Sequence, residues 1–237
     1  MSSFVLKLIA VITMVIDHIG LCFFPEYEWI RYIGRISFPL FAFLLTEGFI
    51  HTSDKTKYAV RLGVFALISE IPYDLCIYGR VFDFGHQNIF FELLCGLAVL
   101  ACIEEASKKP VFFALIPLLF LFSSYLNFSY GIYGIALMAM FYILRDKPVE
   151  RAVSAAAVTV FFNGAAALGF DILGGNISIL SVNYTQMYAA AATVPLLFYS
   201  GKKGRYSFKW FFYGFYPIHL IVLFLVKWIL SASFSAA

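Results

Sequence analysis

Two histidines lie deep inside apolar stretches of this sequence, where an ionisable side chain is costly and therefore marks a candidate functional site. His18 follows Lys7 by eleven residues, and His219 follows Lys209 by ten. At the helical rise of about 1.5 Å per residue, both imidazoles lie roughly 15 Å from the charged end of their segment. A neutral imidazole takes a proton from an attacking amine or hydroxyl at modest cost. We therefore predict a group-transfer centre in which His18 is the general base and His219 belongs to the same catalytic set.

Two carboxylates accompany these histidines. Asp17 is adjacent to His18, but neighbouring helical residues point about 100° apart, so the two side chains cannot both aim straight at one partner. We expect Asp17 to hold a cation, for which Arg35 is the best candidate. Glu70 falls at a similar depth and is expected to converge on the histidines; alternatively, it satisfies backbone groups that Pro72 leaves unpaired. Either histidine also has a simpler interpretation, as an interhelical hydrogen bond.

The composition indicates that lipid surrounds much of the protein. Of the 237 residues, 62% are hydrophobic and only 13% are charged, whereas about a quarter of the residues in a soluble domain are charged. Such sparse charge cannot cover a globule in water, so we expect the lipid bilayer as a partner and no nucleic acid. None of the four cysteines has metal-ligand spacing, so no metal site is predicted.

The apolar runs predict an all-α fold, in which residues 1–237 form a single membrane-embedded domain built as a polytopic transmembrane helical bundle. Crossing a hydrocarbon core of about 30 Å takes roughly 20 apolar residues in a helix. The first run is too long for the core of a signal peptide and contains Asp17 and His18, so we interpret it as a retained span. About nine spans are predicted, at residues 5–24, 33–51, 58–78, 88–104, 110–126, 130–144, 151–172, 184–200 and 210–231.

Lysine and arginine residues predict the orientation of these spans, because cytoplasmic loops are enriched in both. The cations concentrate in alternate connections, after spans two, four, six and eight, while the opposite connections hold only Arg31, Arg35 and Arg80. The N-terminus is then cytoplasmic and the C-terminus outside. We expect a multi-pass protein of the inner (cytoplasmic) membrane.

The second span carries a proline, Pro39, a few residues after its start. Proline removes a backbone donor and should kink or loosen the helix. A broken helix in a membrane usually lines a cavity, although an ordinary kink is the alternative.

Several runs of residues resemble those of the TraX family. The first is KLIAVITMVIDHIG at residues 7–20, and the second is IGRISFPLFAFLLTEGF at residues 33–49. Shorter matches extend the similarity to the ninth span, at residues 57–62, 71–73, 88–96, 130–134 and 212–220. The resemblance covers almost the whole chain, and the first two runs together are specific to the family.

The resemblance implies a membrane acetyltransferase that uses acetyl-CoA, since a family member acetylates the N-terminal alanine of a pilin. The family also looks related to acyltransferases whose key histidine lies in the first span, the position of His18. The acceptor would be a peptide, sugar or small molecule that approaches from the outer side. The predicted catalytic residues are His18, Asp17, Arg35 and His219.

Acetyl-CoA carries phosphate charges, which cytoplasmic cations would hold, and its thioester would reach mid-depth between the spans. Direct transfer to the acceptor is preferred over a route through acetyl-histidine, which stays open. Donors for the tetrahedral oxyanion would come from Arg35, Ser37, Asn88 or His219. The predicted cofactor-binding residues are Arg61, Ser37, Glu47, Asn88, Arg145 and Arg151. This chemistry requires that the imidazoles of the first and last spans meet inside one bundle.

Two other classes of function stay open. The same polar cluster would suit a proton or ion path in a small transporter. Secondary transporters often contain inverted repeats, and this sequence has no matching halves and an odd predicted number of spans. A third interpretation is an assembly partner without chemistry. Release of thiol from acetyl-CoA distinguishes the enzyme from both.

Overall fold

The computed structural model describes residues 1–165, 183–204 and 208–235, and it is helical throughout that part of the chain, with no β-strand among those residues. The first half consists of α1 Ser3–Phe23, α2 Glu28–Gly34, α3 Ser37–His51, α4 Lys55–Tyr78 and α5 Ile89–Ala106. The second half consists of α6 Val111–Tyr125, α7 Gly131–Ile143, α8 Pro148–Val160, a π-helical turn Phe161–Ala165, α9 Tyr184–Met187, a 3₁₀ turn Tyr188–Ala192, α10 Thr193–Leu197 and α11 Lys209–Ser235. Part of the seventh predicted span lies outside the described residues.

Within the described part of the chain, three helical segments are long and apolar enough to cross a membrane: Ser3–Phe23, the path through α2 and α3 from Glu28 to His51, and Trp210–Ser233. The helices α6 and α7 are apolar but shorter. The all-helical, membrane-like character predicted from composition is therefore confirmed. The count of nine spans and the orientation of the termini stay predictions.

The second predicted span is broken near its start. One helix ends at Gly34 and the next begins at Ser37, so Pro39 falls in the first turn of α3, where a missing N–H costs little. Gly34 is needed at the break, since a β-carbon there would overlap Asp17 of α1. The predicted kink is thus a change of helix, and it brings Arg35 against α1.

The helix α3 lies at the centre of the bundle, in contact with α1, α5 and α7. Its large apolar side chains are almost fully buried, with Phe38 and Phe49 among the most enclosed residues of the described chain. The last helix, α11, packs against α4 and α1. This neighbourhood places the first and last long helices side by side.

The start of α1 docks on the segment that precedes α11. The backbone N–H of Ser3 donates to the carbonyl of Lys202 at 2.8 Å, and the N–H of Phe4 donates to that of Lys203 at 3.3 Å. The first N–H groups of a helix have no partner within the helix, so these bonds stabilise its beginning. They also hold Lys203 beside the start of α1.

Candidate functional site

The two imidazoles meet, as the sequence predicts. Nδ1 of His18 lies 2.9 Å from Nε2 of His219, and the ring centroids are 5.0 Å apart. Nδ1 of His219 lies 3.0 Å from the carbonyl oxygen of Phe215, one turn earlier in α11. His219 is buried, whereas His18 is half-buried and lines a cavity. Two histidines 201 positions apart therefore form one hydrogen-bonded couple, which we call the histidine couple.

Asp17 turns away from the couple and holds two guanidinium groups. Arg35, the predicted partner, forms an ion pair with its carboxylate, and Nε of Arg31 lies 3.7 Å from the other carboxylate oxygen. Arg35 also donates from Nη1 to Oε1 of Gln186 at 3.3 Å. One carboxylate between two guanidinium groups leaves an excess positive charge at the cavity wall. We call Asp17, Arg31 and Arg35 the arginine cluster.

Sequence reasoning missed Arg31 and Gln186 as parts of this site. The spacing of Arg31 and Arg35, four residues apart, was the available signal, because residues four apart share a helix face. Nothing local singles out Gln186, which reaches the cluster only because the short helix α9 packs against α2.

A cavity of about 890 Å³ joins the histidine couple to both ends of the bundle. This volume lies in the upper part of the range for small-molecule sites. His18, Ser37 and Tyr216 line its middle. One end, which we call the basic mouth, is lined by Lys7, Arg61 and Lys203. The other end, the aromatic mouth, is lined by Tyr78, His86 and Ser129.

The two mouths differ in chemistry. At the basic mouth, the Arg61 guanidinium lies 5.6 Å from the ring centre of Tyr58, and its buried Nε has no hydrogen-bond partner among the described residues. At the aromatic mouth, the rings of Tyr78 and His86 stack with centroids 5.3 Å apart. The basic mouth suits an anionic group, and the aromatic mouth suits a neutral or amphipathic one.

Other predicted binding residues pair among themselves. Arg151 donates from Nη1 to Oε1 of Glu47 at 2.6 Å, and the hydroxyl of Tyr199 donates to Oε2 at 2.7 Å. We call these three residues the Glu47 cluster. Glu47 lines the cavity, but Arg151 does not. Ser37 also lines the cavity, while its hydroxyl donates to the carbonyl of Ala10 at 2.9 Å.

Two predicted binding residues lie away from the cavity lining. Asn88 begins α5, where its side-chain oxygen accepts from the N–H of Phe90 at 3.0 Å. Arg145 follows the end of α7, and its Nε lies 3.8 Å from Oδ2 of Asp146. Their contact with a cofactor, like that of Arg151, stays a prediction that this geometry does not favour.

The expected convergence of Glu70 on the histidines is wrong. Its carboxylate accepts from the side-chain amide of Asn88 and lines a separate, smaller pocket with Asp74 and Asp83. The side chain of Glu70 faces the start of α5 instead of the cavity. Helical rise alone does not specify which neighbour a side chain faces.

Comparison with known proteins gives a consistent picture. The model of the family described as TraX protein matches residues 2–227. The chain is 30% identical to the probable fimbrial assembly protein FimC, serogroup H1, of Dichelobacter nodosus, with 94% of each chain covered. It is 28% identical to protein TraX of Escherichia coli, over 92% of this chain and 84% of that protein. No solved structure is significantly similar to it.

Proposed function

Since this chain belongs to the TraX family, we propose that it is a membrane-embedded acetyltransferase that moves an acetyl group from cytosolic acetyl-CoA to an amine or hydroxyl acceptor. The observation that carries the proposal is the histidine couple, whose His18 ring lines a cavity reaching from the basic mouth to the aromatic mouth. A histidine couple of this kind, beside a cavity with two chemically different entrances, suits a reaction between two substrates.

The basic mouth is the proposed entrance for the donor. Lys7, Arg61 and Lys203 supply cations for the phosphate groups of acetyl-CoA. The cavity wall beyond them is apolar, with Leu44 and Leu62 among its residues, and accommodates the uncharged arm that carries the thioester. The mouth lies at the helix ends that the loop cations assign to the cytoplasm, where acetyl-CoA is made.

The aromatic mouth is the proposed entrance for the acceptor. It lies at the ends of α1 and α4 opposite to the basic mouth, which the same orientation assigns to the outer face. A relative named as a fimbrial assembly protein supports a pilin-like peptide with a free N-terminal amine as one acceptor. Sugars and other small molecules with an amine or hydroxyl are the remaining class.

The chemistry needs one base and one region of positive charge. The nitrogen or oxygen of the acceptor bonds to the acetyl carbon, and His18 takes the proton that this atom loses. The negative charge that develops on the thioester oxygen is stabilised by the arginine cluster, in which Arg31 and Arg35 line the cavity and share a single carboxylate. The carbon–sulfur bond then breaks, and the proton passes from His18 to the departing thiolate.

The test is release of CoA thiol by the purified protein in the presence of acetyl-CoA and a set of acceptors: a peptide with N-terminal alanine, an amino sugar and a hexose. We expect acceptor-dependent release that His18→Ala abolishes. Thr13→Val is the matched control, because Thr13 lies on the same helix and its hydroxyl donates only to carbonyls of its own preceding turn. Release that is unchanged in His18→Ala contradicts the assignment. Uptake of protons into vesicles without thiol release supports a transporter instead.

A further inference from the structure

The hydrogen bonds of the histidine couple determine where its protons lie. The carbonyl oxygen of Phe215 can only accept, so Nδ1 of His219, at 3.0 Å, carries a hydrogen. A neutral imidazole carries one hydrogen on its two nitrogens, so Nε2 of His219 has a lone pair. The bond of 2.9 Å between this nitrogen and Nδ1 of His18 then requires that His18 donates. The one hydrogen of neutral His18 is therefore on Nδ1, and its Nε2 has a lone pair.

Of the four ring nitrogens of the couple, Nε2 of His18 is the one whose hydrogen-bonding capacity is not used within the couple or by Phe215. Among the described residues this nitrogen has no hydrogen-bond partner, and the ring lines the cavity. Had His18 carried its hydrogen on Nε2, the nitrogen facing His219 would be a second acceptor, and the couple would have no hydrogen bond. A base needs a lone pair directed at its substrate, so only the first tautomer is productive.

The orientation of His219 is specified within α11. Its ring stacks on that of Phe215, with centroids 5.3 Å apart and planes 8° from parallel, and the carbonyl of the same residue holds Nδ1. The ring of Tyr216 packs edge-on against both histidines, at centroid distances of 5.5 Å and 6.4 Å. One turn of α11 therefore fixes the direction in which Nε2 of His219 points.

We propose that His219 is a positioning residue, which holds the tautomer of His18 through its Nε2 lone pair and so presents Nε2 of His18 as the base. This inference rests on the proposed function. It assigns to His219 an indirect role and removes it from the donors predicted for the oxyanion, because neither of its ring nitrogens has a hydrogen left to give. Protonation of His219 would reverse the direction of the hydrogen bond between the two rings, since both nitrogens of His219 would then donate.

A pair of variants separates this role from simple packing. His219→Gln keeps a carbonyl acceptor about where Nε2 lies, whereas His219→Leu fills similar space with no acceptor. We expect kcat to fall roughly 10²–10³-fold in His219→Leu, below the roughly 10⁴-fold loss known for a catalytic histidine held in the wrong tautomer. His219→Gln should retain at least about a tenth of kcat, because the acceptor that holds the tautomer remains. The KM for acetyl-CoA should not change in either variant. A His219→Gln protein as slow as His219→Leu overturns the proposal.

A spectroscopic measurement reads the tautomer without any reaction. The chain has four histidines, so ¹⁵N-histidine labelling combined with His51→Gln and His86→Gln leaves only the signals of the couple. We expect the hydrogen of His18 on Nδ1 in the parent protein and a mixture of tautomers in His219→Leu. A hydrogen on Nε2 of His18 overturns the inference. If no acceptor supports thiol release, the proposed function fails, and the nitrogen spectrum still decides the tautomer.

Discussion

The histidine couple and the Glu47 cluster are both buried polar groups that join distant parts of the chain, yet they differ in what they leave unused. In the Glu47 cluster, Arg151 and Tyr199 each donate to one oxygen of the Glu47 carboxylate. Nε and Nη2 of Arg151 have no hydrogen-bond partner among the described residues, but Arg151 does not line the cavity. In the couple, His18 lines the cavity, and one of its imidazole nitrogens has no hydrogen-bond partner among the described residues. Burial of a polar side chain therefore does not by itself identify chemistry. An uncommitted atom at a cavity wall is the more specific sign.

The arginine cluster is intermediate between the histidine couple and the Glu47 cluster in how completely its polar groups are paired. Its carboxylate, Asp17, is held by Arg35 and Arg31, but the cluster carries one positive charge more than negative, and it lines the cavity. The Glu47 cluster also borders the cavity, but its charges cancel. The comparison predicts that changes in the couple affect rate, and that changes in the Glu47 cluster affect stability. A tenfold effect on rate or binding corresponds to about 1.4 kcal/mol, so both kinds of change can be ordered on one scale.

The largest effect is expected for His18→Ala. Loss of a positioned general base typically lowers kcat by roughly 10²–10⁴-fold. The thermal midpoint should change little, because His18 is half-buried and loses one hydrogen bond to a neutral partner. Thiol release and thermal unfolding of the same preparation check both statements. A large loss of stability with activity retained would reverse the roles given to the two groups.

Arg151→Met should lower stability instead of rate. It leaves the Glu47 carboxylate buried without its cation, and such a loss costs about 3–5 kcal/mol. The double variant with Glu47→Met should recover most of that stability, since replacing a whole buried pair by apolar residues is often neutral. Unfolding curves of the single and double variants in detergent measure the difference. Equal stability of the parent protein, the single variant and the double variant would show that the Arg151–Glu47 pair contributes nothing to stability.

Tyr199→Phe removes one hydrogen bond to the same carboxylate. A hydrogen bond to a charged group contributes about 1.5–3 kcal/mol. We expect a loss in this range with kcat unchanged, because Arg151 still holds the carboxylate. A fall in kcat larger than the fall in stability would move Tyr199 from the Glu47 cluster into the reaction.

The smallest effect is expected at the basic mouth. Arg61→Gln should raise the KM for acetyl-CoA roughly tenfold, or about 1.4 kcal/mol, and leave kcat unchanged, since only donor binding is weakened. Higher ionic strength should raise the KM of the parent protein in the same direction. Arg80→Gln is the control, because Arg80 is exposed near the opposite end of the bundle. An equal effect of both substitutions would remove the basic mouth from donor binding.

Local patterns predict the long helices well. The first and last spans were predicted at 5–24 and 210–231, and the helices run from Ser3 to Phe23 and from Lys209 to Ser235, since a continuous apolar run has few other solutions in lipid. The eighth predicted span, 184–200, is instead α9, a 3₁₀ turn and α10. Short pieces of this kind depend on packing against α8, which periodicity does not report.

The site was predictable in depth and not in direction. Counting helical rise placed His18 and His219 at one level, and the structure brings them into contact. The same count placed Glu70 there, but its side chain faces Asn88. The pairing of Glu47 with Arg151, 104 positions away, depends on which helices are neighbours. A single sequence determines the rise of each helix but carries no direct information on neighbours.

The most direct test of the account uses vesicles that contain the reconstituted protein. Acetyl-CoA, which does not cross lipid, is added outside, and the alanine peptide, the amino sugar and the hexose are enclosed. We predict acetylation of at least one enclosed acceptor together with an equal amount of CoA thiol released outside, and neither product with His18→Ala. Acetylation that requires donor and acceptor on the same side, or that persists without His18, would contradict the account.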